Sequence, residues 1–78
     1  MKVKIKSDAI KRILAEKNHS QNWLANKIGT SSGYMSQMLT GMRNPSPEMR
    51  EEILKAFKED DFNKFFYIEN NKKIKEAV

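Results

Sequence analysis

Gln37 carries the side chain in this sequence best suited to reading another molecule by paired hydrogen bonds. Its amide holds a donor and an acceptor side by side, the complement of N6 and N7 on the edge of adenine. Ser32 and Ser36 are four apart, and so are Gly33 and Gln37, so on a helix they line one face. The two hydroxyls donate or accept, and discriminate weakly between bases. Gly33 reads nothing, but without a Cβ it admits a close approach of the backbone. Ser31 stands at the helix start, where its hydroxyl either caps the helix or touches a phosphate or base edge. The bland alternative for each of these residues is a solvated helix face.

Other chemistry finds less support. Catalysis needs acids, bases or nucleophiles gathered in one pocket. Here the serines cluster at helix starts, and nearly all the acids follow residue 47. There is no cysteine, which excludes disulfides and thiolate metal sites, and one histidine, His19, which reads as an exposed turn residue. No glycine-rich phosphate loop and no metal-ligand spacing occurs. No apolar run approaches the roughly 18 residues of a membrane span. The amino-terminal lysines have no apolar block behind them, so no secretory signal is visible. The expectation is a cytoplasmic protein that is no enzyme and needs no cofactor or metal.

The charge points to a polyanion. Of 78 residues, positions 1–45 carry eight Lys/Arg against two acids, and positions 46–78 carry seven against eight. The half that holds Gln37 is therefore the basic half. The bland reading is an ordinary soluble domain with many lysines.

Two helical patterns must position these residues. In 21–28, Leu24, Ala25 and Ile28 share one face. In 31–40, Met35, Met38 and Leu39 repeat the spacing, which turns the serines and Gln37 outward. Ser20 can cap the first helix, and Thr30 or Ser31 the second. Gly29 and Gly41 stand where the two helices must stop, and glycine takes the left-handed conformation there without a Cβ clash. So short a turn makes the helices cross steeply, and Ala25 is the small residue at the crossing.

The stretch 20–41, SQNWLANKIGTSSGYMSQMLTG, resembles the Cro-repressor-type (Xre-like) helix-turn-helix family. Gln21 falls on the first position of that motif. Leu24, Ala25, Ile28, Gly29, Thr30, Met35 and Met38 fall on its apolar, alanine and glycine positions. The resemblance implies that Gln21 meets a DNA phosphate as its helix crosses the backbone. It also implies that Arg43 and Asn44 lie in a loop along that backbone. Lys27 joins them by charge alone. The Tyr34 hydroxyl can reach a phosphate; its other role is an aromatic packed beside Met38. Two positions depart from the family. Gly33 replaces a frequent long polar residue, which leaves more of the recognition to other residues or to DNA shape. Trp23 replaces a frequent polar one, and is expected to pack over the first helix or the first strand.

The remaining segments frame this unit. In 1–6, Val3 and Ile5 alternate with lysines, which predicts a strand; the alternative is an arm lying on phosphates. Ser7 is expected to cap a helix running to about Asn18, with Ile10, Ile13 and Leu14 on its buried stripe. After the loop 42–46, Ser46 and Pro47 start a helix whose buried face holds Met49, Ile53, Leu54 and Phe57. Residues 60–64 read as a helical turn and 65–68 as a strand pairing with 3–5. Phe62, Phe65, Phe66, Tyr67 and Ile68 exceed what one face of so small a domain can hide, and suggest a dimer contact. Residues 69–78 read as a charged, frayed tail in which Ile74 could anchor a last turn.

Together these readings predict a single domain over 1–68. Its fold class is all-α, a compact four- to five-helix lambda-repressor-like DNA-binding domain with a short two-stranded pairing of its end segments. The resemblance implies a sequence-specific regulator of transcription, a repressor, that binds a palindromic double-stranded operator as a homodimer. The alternative is an antitoxin-type module that also binds DNA and covers a toxin with its aromatic segment. RNA binding has little support, because the aromatic-and-glycine pattern of single-strand platforms is missing.

Overall fold

Alternation at the amino terminus does produce a strand. In the computed structural model, which describes residues 2–69, β1 (Lys2–Ile5) pairs antiparallel with β2 (Phe66–Glu69). Ile5 stands opposite Phe66 and Val3 opposite Ile68, so these four share one face of the ribbon. Lys4 opposite Tyr67 and Lys2 opposite Glu69 share the other. The lysine ammoniums also tie the ribbon down. Lys4 donates to the carbonyl of Gly41 at 3.2 Å, and Lys6 to that of Asn63 at 2.6 Å. Of the two readings of 1–6, strand and arm, the segment takes the first.

Between the strands run α1 (Ser7–Glu16), α2 (Gln21–Lys27), α3 (Ser32–Leu39), α4 (Pro47–Ala56) and α5 (Phe62–Phe65). The described residues are thus mostly helical, with five helices and one two-stranded sheet among them. Ser46 caps α4 by accepting the Met49 N–H at 3.1 Å, and Pro47 takes the first turn, where its missing N–H costs nothing. Asn18 closes α1 with a left-handed φ of 60°. Ser7 departs from expectation. Lys6 takes the cap position without a side-chain bond, and the Ser7 hydroxyl donates instead to the carbonyl of Leu39. That carbonyl lies in the last turn of α3 and has no partner inside its own helix. A tertiary acceptor has outcompeted the local cap.

Ile10, Leu24, Met35, Met38, Ile53, Phe65 and Phe66 are the largest fully buried side chains. Each helix from α1 to α5 therefore sends at least one apolar group to a common centre. A chain of this size hides only about 60–65% of its unfolded surface, so each of these groups matters.

The aromatic segment is arranged differently from the expected strand over 65–68. Asp61 caps a helical turn by accepting the Asn63 N–H at 3.0 Å, and that turn includes Phe65. The backbone becomes extended only at Phe66 (φ −135°, ψ 157°). In a uniform strand adjacent side chains point to opposite faces. The change from helix to strand breaks that alternation, so Phe65 and Phe66 both point inward, at 1% and 0% exposure. They are core residues and leave the candidate dimer surface. Phe62 packs on Phe66 with ring centroids 5.2 Å apart and is half-buried. Only Tyr67 and Ile68 of that set stay open, at 45% and 47%. Of the expected tail over 69–78, Glu69 belongs instead to β2, where pairing with Lys2 extends the ribbon by one residue, and positions 70–78, including Ile74, lie outside the described residues.

This arrangement separates two neighbouring apolar residues by energy. Phe66→Ala should cost about 3–5 kcal/mol in chemical denaturation, the range for a truncated core aromatic. Ile68→Ala, measured at a concentration where the protein is monomeric, should cost about 1 kcal/mol or less. Equal losses would mean that the strand register is wrong.

Candidate nucleic-acid interface

The α2–α3 unit is built by its own caps. Ser20 accepts the Trp23 N–H at 3.0 Å, and Ser31 accepts the Tyr34 N–H at 3.1 Å. Of the two expected caps for α3, Ser31 takes the role. Thr30 instead donates its backbone N–H to the carbonyl of Ala25 at 2.9 Å, closing the end of α2. Gly29 makes this turn possible with a φ of 77°. Ala25 is 2% exposed where the two helices meet. Met35, Met38 and Leu39 hold α3 to the core, so its opposite face is presented to solvent.

On that face Ser31, Ser32, Gly33 and Ser36 are exposed. A Cβ added at Gly33 would meet nothing within 4 Å, so the surface there is open. Gln37 is different: it is half-buried and already engaged. Its Oε1 accepts a hydrogen bond from Nε of Arg43 at 2.6 Å. The Arg43 guanidinium also lies 5.5 Å from the centre of the Tyr34 ring. Gly41, with a φ of 86°, turns the chain back over the end of α3. The backbone N–H groups of Met42 and Arg43 then both reach the Gln37 carbonyl, at 2.9 and 3.2 Å. Gln37, Arg43 and Tyr34 thus form one cluster, although the sequence assigns them to different roles. Tyr34 is half-buried against the core, as its packed reading requires.

Other candidates lie further apart. Gln21 opens α2 and Lys27 closes it, so about 9 Å of helix rise separates them and they cannot serve one phosphate. Lys27 and Asn44 are exposed, and Gln21 is half-buried. Between α2 and α3 lies a polar concavity of about 260 Å³, lined by Asn22, Ala25, Asn26, Thr30, Ser31 and Ser32. Asn22 and Asn26 are absent from the sequence-derived set. Their spacing of four, flanking the inward Ala25, is the signal that places them together.

The segment that carries α2 and α3 is free of acids. Between Glu16 and Glu48 the chain has no acidic residue, and it has Lys17, Lys27 and Arg43. The ion pairs among the described residues, Arg12–Glu16, Lys55–Glu52 and Lys64–Glu59, all lie outside that stretch. Among the described residues no three His, Asp or Glu side chains gather as a metal site. No helix among them is long and apolar enough to cross a membrane.

Trp23 packs against the core, and two aromatic rings meet its own. Its ring stacks on His19 at 3.8 Å and 3°, and meets Phe57 at 6.0 Å. His19 is therefore half-buried beneath an indole and not the exposed turn residue expected. The contact with Phe57 depends on where α4 ends, whereas the His19 stack joins residues four apart in the chain.

Comparison with protein-family models, with curated proteins and with solved structures finds no match to this chain. What the surface can do follows from its own geometry and charge.

The two glycines of this unit should respond oppositely to alanine. Gly29→Ala forces a left-handed Cβ conformation and should cost about 1–2 kcal/mol. Gly33→Ala lies in a helix with free space around it, and should stabilise by up to about 0.5–1 kcal/mol. Thermal melts of both variants check the pair; a destabilised Gly33→Ala would contradict the open surface at α3.

Proposed function

We propose that this chain is a sequence-specific double-stranded DNA-binding regulator of the Cro-repressor type, with α2 and α3 as its helix-turn-helix. The observation that carries the reading is the outer face of α3: polar, free of acids, and held rigid by an apolar inner face. A helix of eight residues is about 12 Å long and narrow enough for the major groove of B-DNA. Ser32, Ser36 and Gln37 would meet base edges there, with Gly33 admitting close approach. Gln21, Lys27 and Asn44 would lie along phosphates, where they set register and not sequence. Asn22 and Asn26 join them at the mouth of the α2–α3 concavity.

Repression follows from simple occlusion of a promoter. Dimerisation would use Tyr67 and Ile68, the apolar residues left open on β2. A symmetric dimer reads a palindrome with half-site centres about 10 base pairs apart, or a multiple of that. The same open pair supports a second reading, an antitoxin-type protein whose β2 covers a toxin. A clean dimer by light scattering favours the first; a monomer that aggregates favours the second.

Selection of bound duplexes from a random pool tests DNA recognition directly. Recovery of a palindrome is the expected result, and a pool that stays random sinks the proposal. Lys27→Ala should weaken every duplex about equally and reduce the slope of log affinity against log salt by roughly one unit. A loss confined to particular sequences would move Lys27 from phosphate to base.

A further inference from the structure

Resting on the DNA-binding reading, we propose that Arg43 sets the base preference of Gln37, so that the pair reads guanine where an isolated glutamine would read adenine. The starting point is the 2.6 Å contact between Nε of Arg43 and the Gln37 amide. A guanidinium only donates, so the amide atom that meets it must be the oxygen. That settles the orientation of the amide by chemistry: its oxygen faces Arg43 and its NH₂ group faces away.

The consequence is a change in what the pair offers. Free glutamine presents one donor and one acceptor, which matches adenine N6 and N7. Arg43 occupies one lone pair of the Gln37 oxygen and turns that oxygen toward a cation, so the end of the amide that faces away is its NH₂ donor. The terminal nitrogens of Arg43 make no hydrogen bond among the described residues, and they add further donors beside the amide. Guanine offers N7 and O6, two acceptors, on its major-groove edge. Adenine offers N7 and an amino group. That amino group would bring its own hydrogens toward a donor cluster that carries a positive charge. Thymine and cytosine offer no such acceptor pair.

The cluster is held before any DNA arrives. The Arg43 guanidinium lies over the Tyr34 ring, and the Arg43 backbone N–H donates to the carbonyl of Gln37 itself. A preformed pair loses less side-chain freedom on binding than two independent long side chains. Arg43 therefore acts on specificity as a positioning residue as well as a cation near the backbone.

The test is a binding series with all four bases at each position of the selected operator, at one salt concentration. The wild type, Gln37→Ala, Arg43→Ala and Arg43→Lys are compared, each with its fold checked by circular dichroism. Expected is one base pair per half-site whose preference vanishes in Gln37→Ala and is guanine in the wild type. Its advantage over adenine should be about 5- to 150-fold, the range for a good bidentate contact. Arg43→Ala should free the amide oxygen and move that position toward adenine. Arg43→Lys, which lacks the fork and the Nε–H, should not restore guanine. Adenine at that position in the wild type overturns the inference. So does a uniform loss of affinity in Arg43→Ala with preferences unchanged, or the absence of any Gln37-dependent position. Those results leave DNA binding intact, whereas a wild type that prefers no duplex overturns both.

Discussion

Everything depends on the inner face of α3. Met35 and Met38 are at 0% and 1% exposure, and with Leu39 they fasten a helix of only eight residues to the core. An isolated helix that short has no stability of its own in water. Its shape, and hence the arrangement of Ser32, Ser36 and Gln37 on the far side, exists only because the near side is buried. Methionine suits this position: its flexible, polarizable chain fills irregular space beneath a short helix.

The ends of the chain complete that support. Ser7 donates to the carbonyl of Leu39, and Lys4 to that of Gly41. Both acceptors lie at or just beyond the C-terminal end of α3. The amino-terminal segment thus answers helix-end carbonyls that would otherwise need water. β2 in turn pairs with β1, and Phe66 enters the core opposite Ile5. Damage to the ribbon should therefore be felt at α3, through the core and through these two hydrogen bonds.

Buried and exposed side chains are divided cleanly along α3 except at Tyr34 and, with more consequence, Gln37. That side chain lies between the two faces, half-buried, with Arg43 on its oxygen. A charge-assisted hydrogen bond of this kind is stronger than one between neutral groups. The loop after α3 is therefore fastened to the outer side of that helix through Arg43 and is not merely a connection to α4.

Residues close together in the chain determined most of what the sequence alone could show. The caps at Ser20, Ser31 and Ser46, the turn at Gly29, the inward phase of Met35 and Met38, and the extended character of 3–5 all follow from local period and backbone preference. Four features were decided only by the tertiary structure. Ser7 left its local cap for a carbonyl 32 residues away. Phe65 and Phe66 both turned inward because the chain changes from helix to strand between them. Trp23 met Phe57, 34 residues away, where α4 ends. Gln37 met Arg43 because Gly41 folds the chain back over the end of α3. In each case a side chain chose among several partners of similar chemistry. Sequence spacing ranks the near ones, and only the packed fold brings the distant one within reach.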